Sequence, residues 1–177
     1  MRQPSVQKVD LPTETLVARA FPRIDYADAY RVRLPDGVPN DLDAVVRAAL
    51  GTAPGWVTLL MRLRDRIAGM IGLKTASRAA RGNIGPNTLQ VGDRLGIFKV
   101  FDRAGDELLL GEDDRHLDFR VSVLLRNDGS AGWAIVSTVV RFNSWLGRAY
   151  FLPVRQFHKL IVPAMLRNAY QRYPNKH

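Results

Sequence analysis

Two stretches of alternating polar and apolar residues, joined by a short turn-rich segment, constrain the fold of this chain more than any other feature. In the first stretch the apolar residues occupy every second position, and these are Leu117, Phe119, Val121, Val123 and Leu125. The second stretch repeats the pattern less strictly between residues 134 and 142. Alternation with a period of two predicts β-strands that bury one face.

The segment between the two stretches, Asn127 to Gly132, is rich in turn-forming residues and predicts an antiparallel hairpin. A shift of one residue would turn the apolar side chains of both strands to the wrong face, so the pairing has a fixed parity. The predicted register, or one shifted by two residues, places Ser122 opposite Ser137, Asp118 opposite Arg141, Phe119 opposite Val140, and Val123 opposite Val136.

The whole chain divides into a predicted N-terminal arm (1–22) and a single predicted domain (23–173), which contains the hairpin. Its other predicted elements are a strand at 26–34, helices at 42–50 and 54–73, strands at 94–103 and 106–112, and a C-terminal helix that begins near Arg148 or Pro153. Residues 74–93 form a long loop, which is either a mobile linker or a lid over a pocket. These pieces predict an α+β fold in which a curved antiparallel sheet wraps around the long C-terminal helix, with two helices inserted after the first strand.

Composition restricts the function. The chain has 177 residues, no cysteine and a formal net charge of +9. Its arginines are scattered, a pattern more typical of a solvated surface than of a specific nucleic-acid site. No apolar segment is long enough to cross a membrane or to act as a signal peptide, which predicts a cytoplasmic protein. We find no phosphate-binding glycine loop or dinucleotide fingerprint, and predict no cofactor.

One polar cluster could carry chemistry. His116, Asp118 and Arg120 alternate along one face of the first strand, where a histidine–carboxylate pair could act as general acid and base inside a pocket. The neighbouring carboxylates Glu112, Asp113 and Asp114 raise the question of a metal site. One histidine with carboxylates is weak support for zinc, and a solvent-facing polar row explains the cluster better, so no metal is predicted.

Four segments carry a family resemblance: Gly111 to Val123, Thr138 to Val140, Leu146 to Tyr150, and Val154 to Ile161. Together they resemble a mostly bacterial family of domains of unknown function, which is similar to the START and birch-pollen-allergen-like superfamily (SRPBCC, helix-grip fold). The resemblance extends from about Phe21 to Tyr170. It implies a cavity between sheet and C-terminal helix, and binding of lipids, hormones, polyketides or other apolar molecules. Related domains are also fused to short-chain reductases.

The leading functional hypothesis is non-catalytic binding of an apolar or amphipathic small molecule in such a cavity. The candidate ligand-binding residues are Trp56, Leu60, Phe98, Phe119, Val121, Val140, Phe157 and Ile161. One alternative is a cyclase, dehydratase or hydrolase that uses the cluster around His116. Another is an accessory module that partners a reductase. Formation of a homodimer stays open.

Overall fold

A computed structural model describes residues 5–35, 41–51, 88–127 and 132–171 of the chain. The strands are β1 (Val6–Val9), β2 (Tyr26–Arg33), β3 (Arg94–Leu95), β4 (Phe98–Ala104), β5 (Glu107–Asp113), β6 (Leu117–Asn127) and β7 (Gly132–Phe142). The α-helices are α1 (Leu42–Gly51) and α2 (Trp145–Gln171), and a 3₁₀ turn spans Val17–Arg19.

The seven strands form one antiparallel sheet in the order β1-β2-β7-β6-β5-β4-β3. The predicted register of the central hairpin is confirmed, since the pairs are Ser122–Ser137, Asp118–Arg141, Phe119–Val140 and Val123–Val136. A bulge at Phe101 shifts the pairing between β4 and β5. The alternation of apolar residues therefore determined which face of the hairpin carries the apolar core, because a slip of one residue would move every side chain to the opposite face.

The face of the sheet that carries the apolar alternation, here called the inner face, packs against both α-helices. Val121, Val123 and Val136 share one core with Val45 of α1 and Leu166 of α2. This arrangement of antiparallel sheet and long C-terminal helix confirms the predicted α+β helix-grip architecture. The predicted helix at 54–73 and most of the 74–93 loop lie outside the described residues. None of the described helices is long and apolar enough to cross a membrane.

The opposite face of the sheet, here called the outer face, is covered by the chain that precedes β2. Val17 and Phe21 pack on Leu109 and Val139, and the 3₁₀ turn that holds Val17 is anchored by Glu107. The boundary between an arm (1–22) and a domain (23–173) stays a prediction. Within that arm, β1 extends the sheet by pairing with β2.

The predicted solvent-facing polar row fails at Asp118, which is buried, whereas Asp113 of the same row is exposed. Asp118, Arg120 and Ser122 are 3%, 7% and 1% exposed, respectively. The reason is that the N-terminal residues lie over them, with the Phe21 ring 4.8 Å from the guanidinium carbon of Arg120 and 5.1 Å from that of Arg141. Buried charges require partners, and here Asp118 pairs with Arg141 while Arg120 pairs with Asp113.

Candidate functional site

A buried carboxylate interrupts the apolar lining of the inner face. Asp28 lies in the middle of β2, between the inner-face residues Tyr26 and Tyr30, and opposite Thr138 of β7. Its side chain is only 2% exposed. Because β-strand side chains alternate, the apolar pattern of β2 points Asp28 toward α2 together with its tyrosine neighbours. A charge at such a position is costly unless hydrogen bonds compensate it.

Two side chains supply those hydrogen bonds. The Tyr26 hydroxyl donates to Oδ2 of Asp28 at 2.6 Å, and Nε2 of His158 lies 3.3 Å from Oδ1. Tyr26 comes from the same strand, whereas His158 comes from α2. The imidazole therefore links the helix to the inner face of the sheet at a buried polar point. We call Asp28, Tyr26 and His158 the polar triad.

The surroundings of the polar triad are aromatic. The Tyr26 ring meets the Phe151 ring edge-on at a centroid distance of 4.9 Å, and the His158 ring at 6.2 Å. The guanidinium carbon of Arg155 lies 5.6 Å from the Tyr26 ring centroid, within the range of a cation–π contact. These contacts hold the tyrosine in one orientation, with its hydroxyl directed at Asp28.

The carboxylate and its surroundings also change the acidity of both tyrosines. Burial and the hydrogen bond to Asp28 raise the pKa of Tyr26 far above its ordinary value. Burial, with the nearby Asp28 charge, raises the pKa of Tyr30 as well. Both phenols are therefore held in their protonated form, and that of Tyr26 donates a hydrogen bond to Asp28. At the edge of an apolar wall, the polar triad can accept a hydrogen bond from a donor group of a ligand, or pass a proton through His158.

That wall contains several residues that the sequence singled out. Phe119, Val121 and Val140 lie on the inner face, and the Phe98 ring meets the Phe119 ring edge-on at 6.0 Å. Ile161 of α2 is half-buried. Trp56 and Leu60 lie outside the described residues.

Phe157, a predicted ligand-binding residue, is 46% exposed and does not lie against the sheet. The stripe that faces the sheet and α1 instead runs through Phe151, Val154, Val162, Leu166 and Ala169, with His158 among them. A helix turns about 100° per residue, so Phe157, one position before the sheet-facing His158, points away from the sheet.

His116 has a structural environment at the start of α2. Its Nδ1 lies 3.0 Å from the Ser144 Oγ, and that oxygen also accepts the Gly147 N–H at 3.2 Å. Ser144 thus caps the first turn of the helix, as serine commonly does. The two other candidate catalytic residues, Asp118 and Arg120, lie on the outer face under Phe21. The structure does not bring these three together on the side of the sheet that α2 covers.

The polar triad was only partly visible in the sequence. Asp28 stood out as the one charged residue on the apolar side of its strand. Nothing local linked it to His158, which is 130 positions away. Among the described residues, no group of three or more acidic, histidine or cysteine side chains could hold a metal ion.

Comparison with known proteins gives a family and one distant structure. The family model described as "Protein of unknown function (DUF2867)" matches residues 20–165. No curated protein matches the chain. The crystal structure of CalU16 from Micromonospora echinospora is similar over 96% of this chain and 92% of that protein, with 13% identity and a TM-score of 0.33. A TM-score of this size is too low to support an inference about function.

Proposed function

We propose that this chain, which belongs to the DUF2867 family, binds an amphipathic small molecule between the inner face of the sheet and α2. The apolar part of the ligand lies along Phe119, Val121 and Val140. Its polar end carries a hydrogen-bond donor, a hydroxyl or an amine, and meets the carboxylate of Asp28. The observation that carries the proposal is this buried carboxylate, which is aimed at α2 from an otherwise apolar wall.

The contacts of α2 support a space for the ligand. Its buried residues lie near its two ends, at Phe151 and at Leu166, Ala169 and Tyr170. None of residues 152–165 is buried, although several of them face the sheet. Near the middle of this stretch, His158 reaches Asp28. We infer that a ligand enters between these ends, beside the half-buried Val154 and Val162, which also pack on the core.

The partners of Asp28 support a donor-bearing ligand. Its hydrogen bonds come from a phenol and an imidazole, and no lysine or arginine is among its described ion-pair partners. A ligand hydroxyl or ammonium could replace the contact with His158 and keep the carboxylate satisfied. Hydrogen bonds to charged groups contribute roughly 1.5–3 kcal/mol, which is enough to orient an otherwise apolar molecule.

Titration of delipidated protein with fluorescent long-chain amine, alcohol and fatty-acid probes tests this proposal. We expect saturable binding in which the amine or alcohol binds more tightly than the fatty acid. Asp28→Asn should weaken amine binding roughly tenfold to a hundredfold, as expected when one charge-assisted hydrogen bond is lost. Its effect on the fatty acid should be much smaller.

A second pair of variants tests where the probe lies. Ile161→Trp places a large ring on the half-buried side of α2 and should weaken binding of every probe. Gln156→Trp places the same ring on the exposed side of the helix and should leave binding unchanged. The proposal is overturned if no probe binds and native mass spectrometry of the purified protein shows no bound molecule. It also fails if Asp28→Asn changes the affinity of no probe.

A further inference from the structure

A second apolar stripe runs along α2, on the side that faces solvent. Five large apolar side chains are exposed among the described residues, and four of them belong to this helix. They are Trp145, Leu152, Phe157 and Leu160, with exposures of 78%, 67%, 46% and 64%. Scattered exposed apolar residues are ordinary, whereas a contiguous set on one element marks an interaction surface.

Helical geometry places these side chains together. Trp145, Leu152 and Leu160 are separated by seven and eight positions, so they lie on one side of the helix, within about 80° of one another. Phe157 borders this group. Phe151, which packs against β6 and β7, lies on the other side of the helix. The four exposed side chains, here called the solvent stripe, are therefore separate from the residues that hold α2 to the sheet.

Charge on α2 has one sign. The 27 residues of the helix include Arg148, Arg155, Lys159 and Arg167, and no aspartate or glutamate. The first three are seven and four positions apart and form a row beside the solvent stripe. Arg148 and Arg155 are exposed, and the whole chain carries a formal net charge of +9.

We propose that the solvent stripe docks α2 on the surface of an anionic phospholipid bilayer. The apolar side chains enter the headgroup region, and the basic row contacts lipid phosphates. Helices that lie in a membrane surface combine these same features, with tryptophan, phenylalanine and leucine on one side and lysine and arginine beside them. This inference does not depend on ligand binding at Asp28, because the apolar side chains of the solvent stripe lie on the other side of α2 from His158. Arg155 alone belongs to both surroundings, through its contact with the Tyr26 ring.

Charge argues against a second copy of the chain as the occupant. A two-fold contact places the same surface of each copy against the other. It would bring the two basic rows together, and α2 offers no acidic side chain to pair with them. An anionic bilayer supplies the missing negative charge, with about 1 kcal/mol of attraction for each basic residue near the surface.

Co-sedimentation with vesicles tests the proposal. We expect the full chain to bind vesicles of phosphatidylglycerol and phosphatidylcholine, and to bind pure phosphatidylcholine at least tenfold more weakly. The double variant Leu152→Ser, Leu160→Ser should lose roughly tenfold or more of the affinity for anionic vesicles, since partial burial of each leucine is removed. Gln156→Ser, on the same side of α2, should bind as the unchanged chain does. Added salt should weaken binding.

Three results would overturn the proposal. The first is an absence of vesicle binding, and the second is equal binding to neutral and anionic vesicles. The third is a dimer in analytical ultracentrifugation that the double serine variant abolishes while vesicles do not bind. The double serine variant should keep the amine-probe affinity of the unchanged chain. Failure of vesicle docking is thereby distinguished from failure of ligand binding at Asp28.

Discussion

Nε2 of His158 lies 3.3 Å from Oδ1 of Asp28 and joins α2 to the inner face of the sheet. The other carboxylate oxygen receives the Tyr26 hydroxyl. Both oxygens of a side chain that is 2% exposed are therefore satisfied, one from within the strand and one from the helix. A buried acceptor left without partners costs more than the bond itself contributes, so the pair influences both stability and binding.

The first prediction concerns the stability contribution of this carboxylate. Asp28→Ala should lower the free energy of unfolding by roughly 1–3 kcal/mol, because the hydroxyl of the half-buried Tyr26 loses its acceptor. Asp28→Asn keeps one acceptor oxygen and should cost less. Urea unfolding of both variants measures the difference. Asp10→Ala is the control. Because Asp10 is exposed, this variant should have the same unfolding free energy as the unchanged chain. Equal stability of the alanine variant and the unchanged chain would contradict the assignment.

The second prediction concerns pH. Burial alone would raise the pKa of Asp43, but hydrogen bonds from Arg103 and Leu89 and the charge of Arg103 outweigh it. The pKa therefore lies below its ordinary value of 3.8. A carboxyl whose pKa is lowered by folding stabilises the protein above its unfolded pKa. This contribution is lost as the pH falls through the folded value.

Comparison of the unchanged chain with Asp43→Asn measures this effect. We expect the variant to be less stable by roughly 1–3 kcal/mol at neutral pH, because Arg103 at 2.8 Å loses its charged partner. The difference in unfolding free energy between the two proteins, here called the gap, should stay constant down to about pH 5. It should narrow below about pH 4, since both proteins then carry a neutral side chain at this position. Urea unfolding between pH 3 and pH 7 gives the gap. A gap that is the same throughout this range would refute the role of the Asp43 charge.

A third prediction concerns the start of α2. A Cβ atom at Gly147 would overlap the carbonyl oxygen of His116, because the first helical turn lies directly on the chain between β5 and β6. Gly147→Ala should lower the free energy of unfolding by roughly 1–3 kcal/mol, the usual cost of overpacking. Gly51→Ala is a matched control, since the space around Gly51 is open. Alanine has the higher helix propensity, so this control should be neutral or up to about 1 kcal/mol more stable.

Thermal unfolding of the two glycine variants gives the comparison directly. If Gly147→Ala is as stable as Gly51→Ala, the close approach of α2 to His116 is not present in solution.

A fourth prediction concerns the attachment of the N-terminal residues to the outer face. Glu107 accepts the N–H groups of Leu16 and Val17, and also the Ser122 hydroxyl at 2.6 Å. Glu107→Gln replaces one acceptor oxygen with an amide donor, so at least one of these donors is left without a partner. The amides of Leu16 and Val17 should then exchange hydrogen faster, and the unfolding free energy should fall by roughly 1–3 kcal/mol.

Hydrogen–deuterium exchange followed by mass spectrometry, with urea unfolding, checks this result. Glu14→Gln makes the same chemical change at an exposed position and should alter neither measurement. Unchanged exchange in Glu107→Gln would show that Val17 and Phe21 alone hold the N-terminal residues on the sheet.

Local periodicity in the sequence was sufficient for the central hairpin and for the existence of both described helices, although α2 begins at Trp145, before its predicted start near Arg148 or Pro153. The strict alternation around Val121 set the parity of the register, because a slip of one residue would expose a whole apolar face. Asp41 accepts the Asp43 N–H just before α1, as aspartate commonly does at the start of a helix. By contrast, β1 has four residues, two of them exposed, and is too short to show a periodic signal.

The environment of the charged residues was decided by the tertiary structure. The alternation on β6 identified Asp118 and Arg120 as sharing a face, but the burial of that face depends on Phe21, about a hundred residues earlier in the chain. Likewise, the alternation of β2 places Asp28 on the same side as Tyr26 and Tyr30, and only the packing of α2 supplied His158 as its partner. Periodicity in the sequence predicts the side of a strand on which a residue lies. What lies against that side depends on long-range contacts that cooperate only in the folded chain.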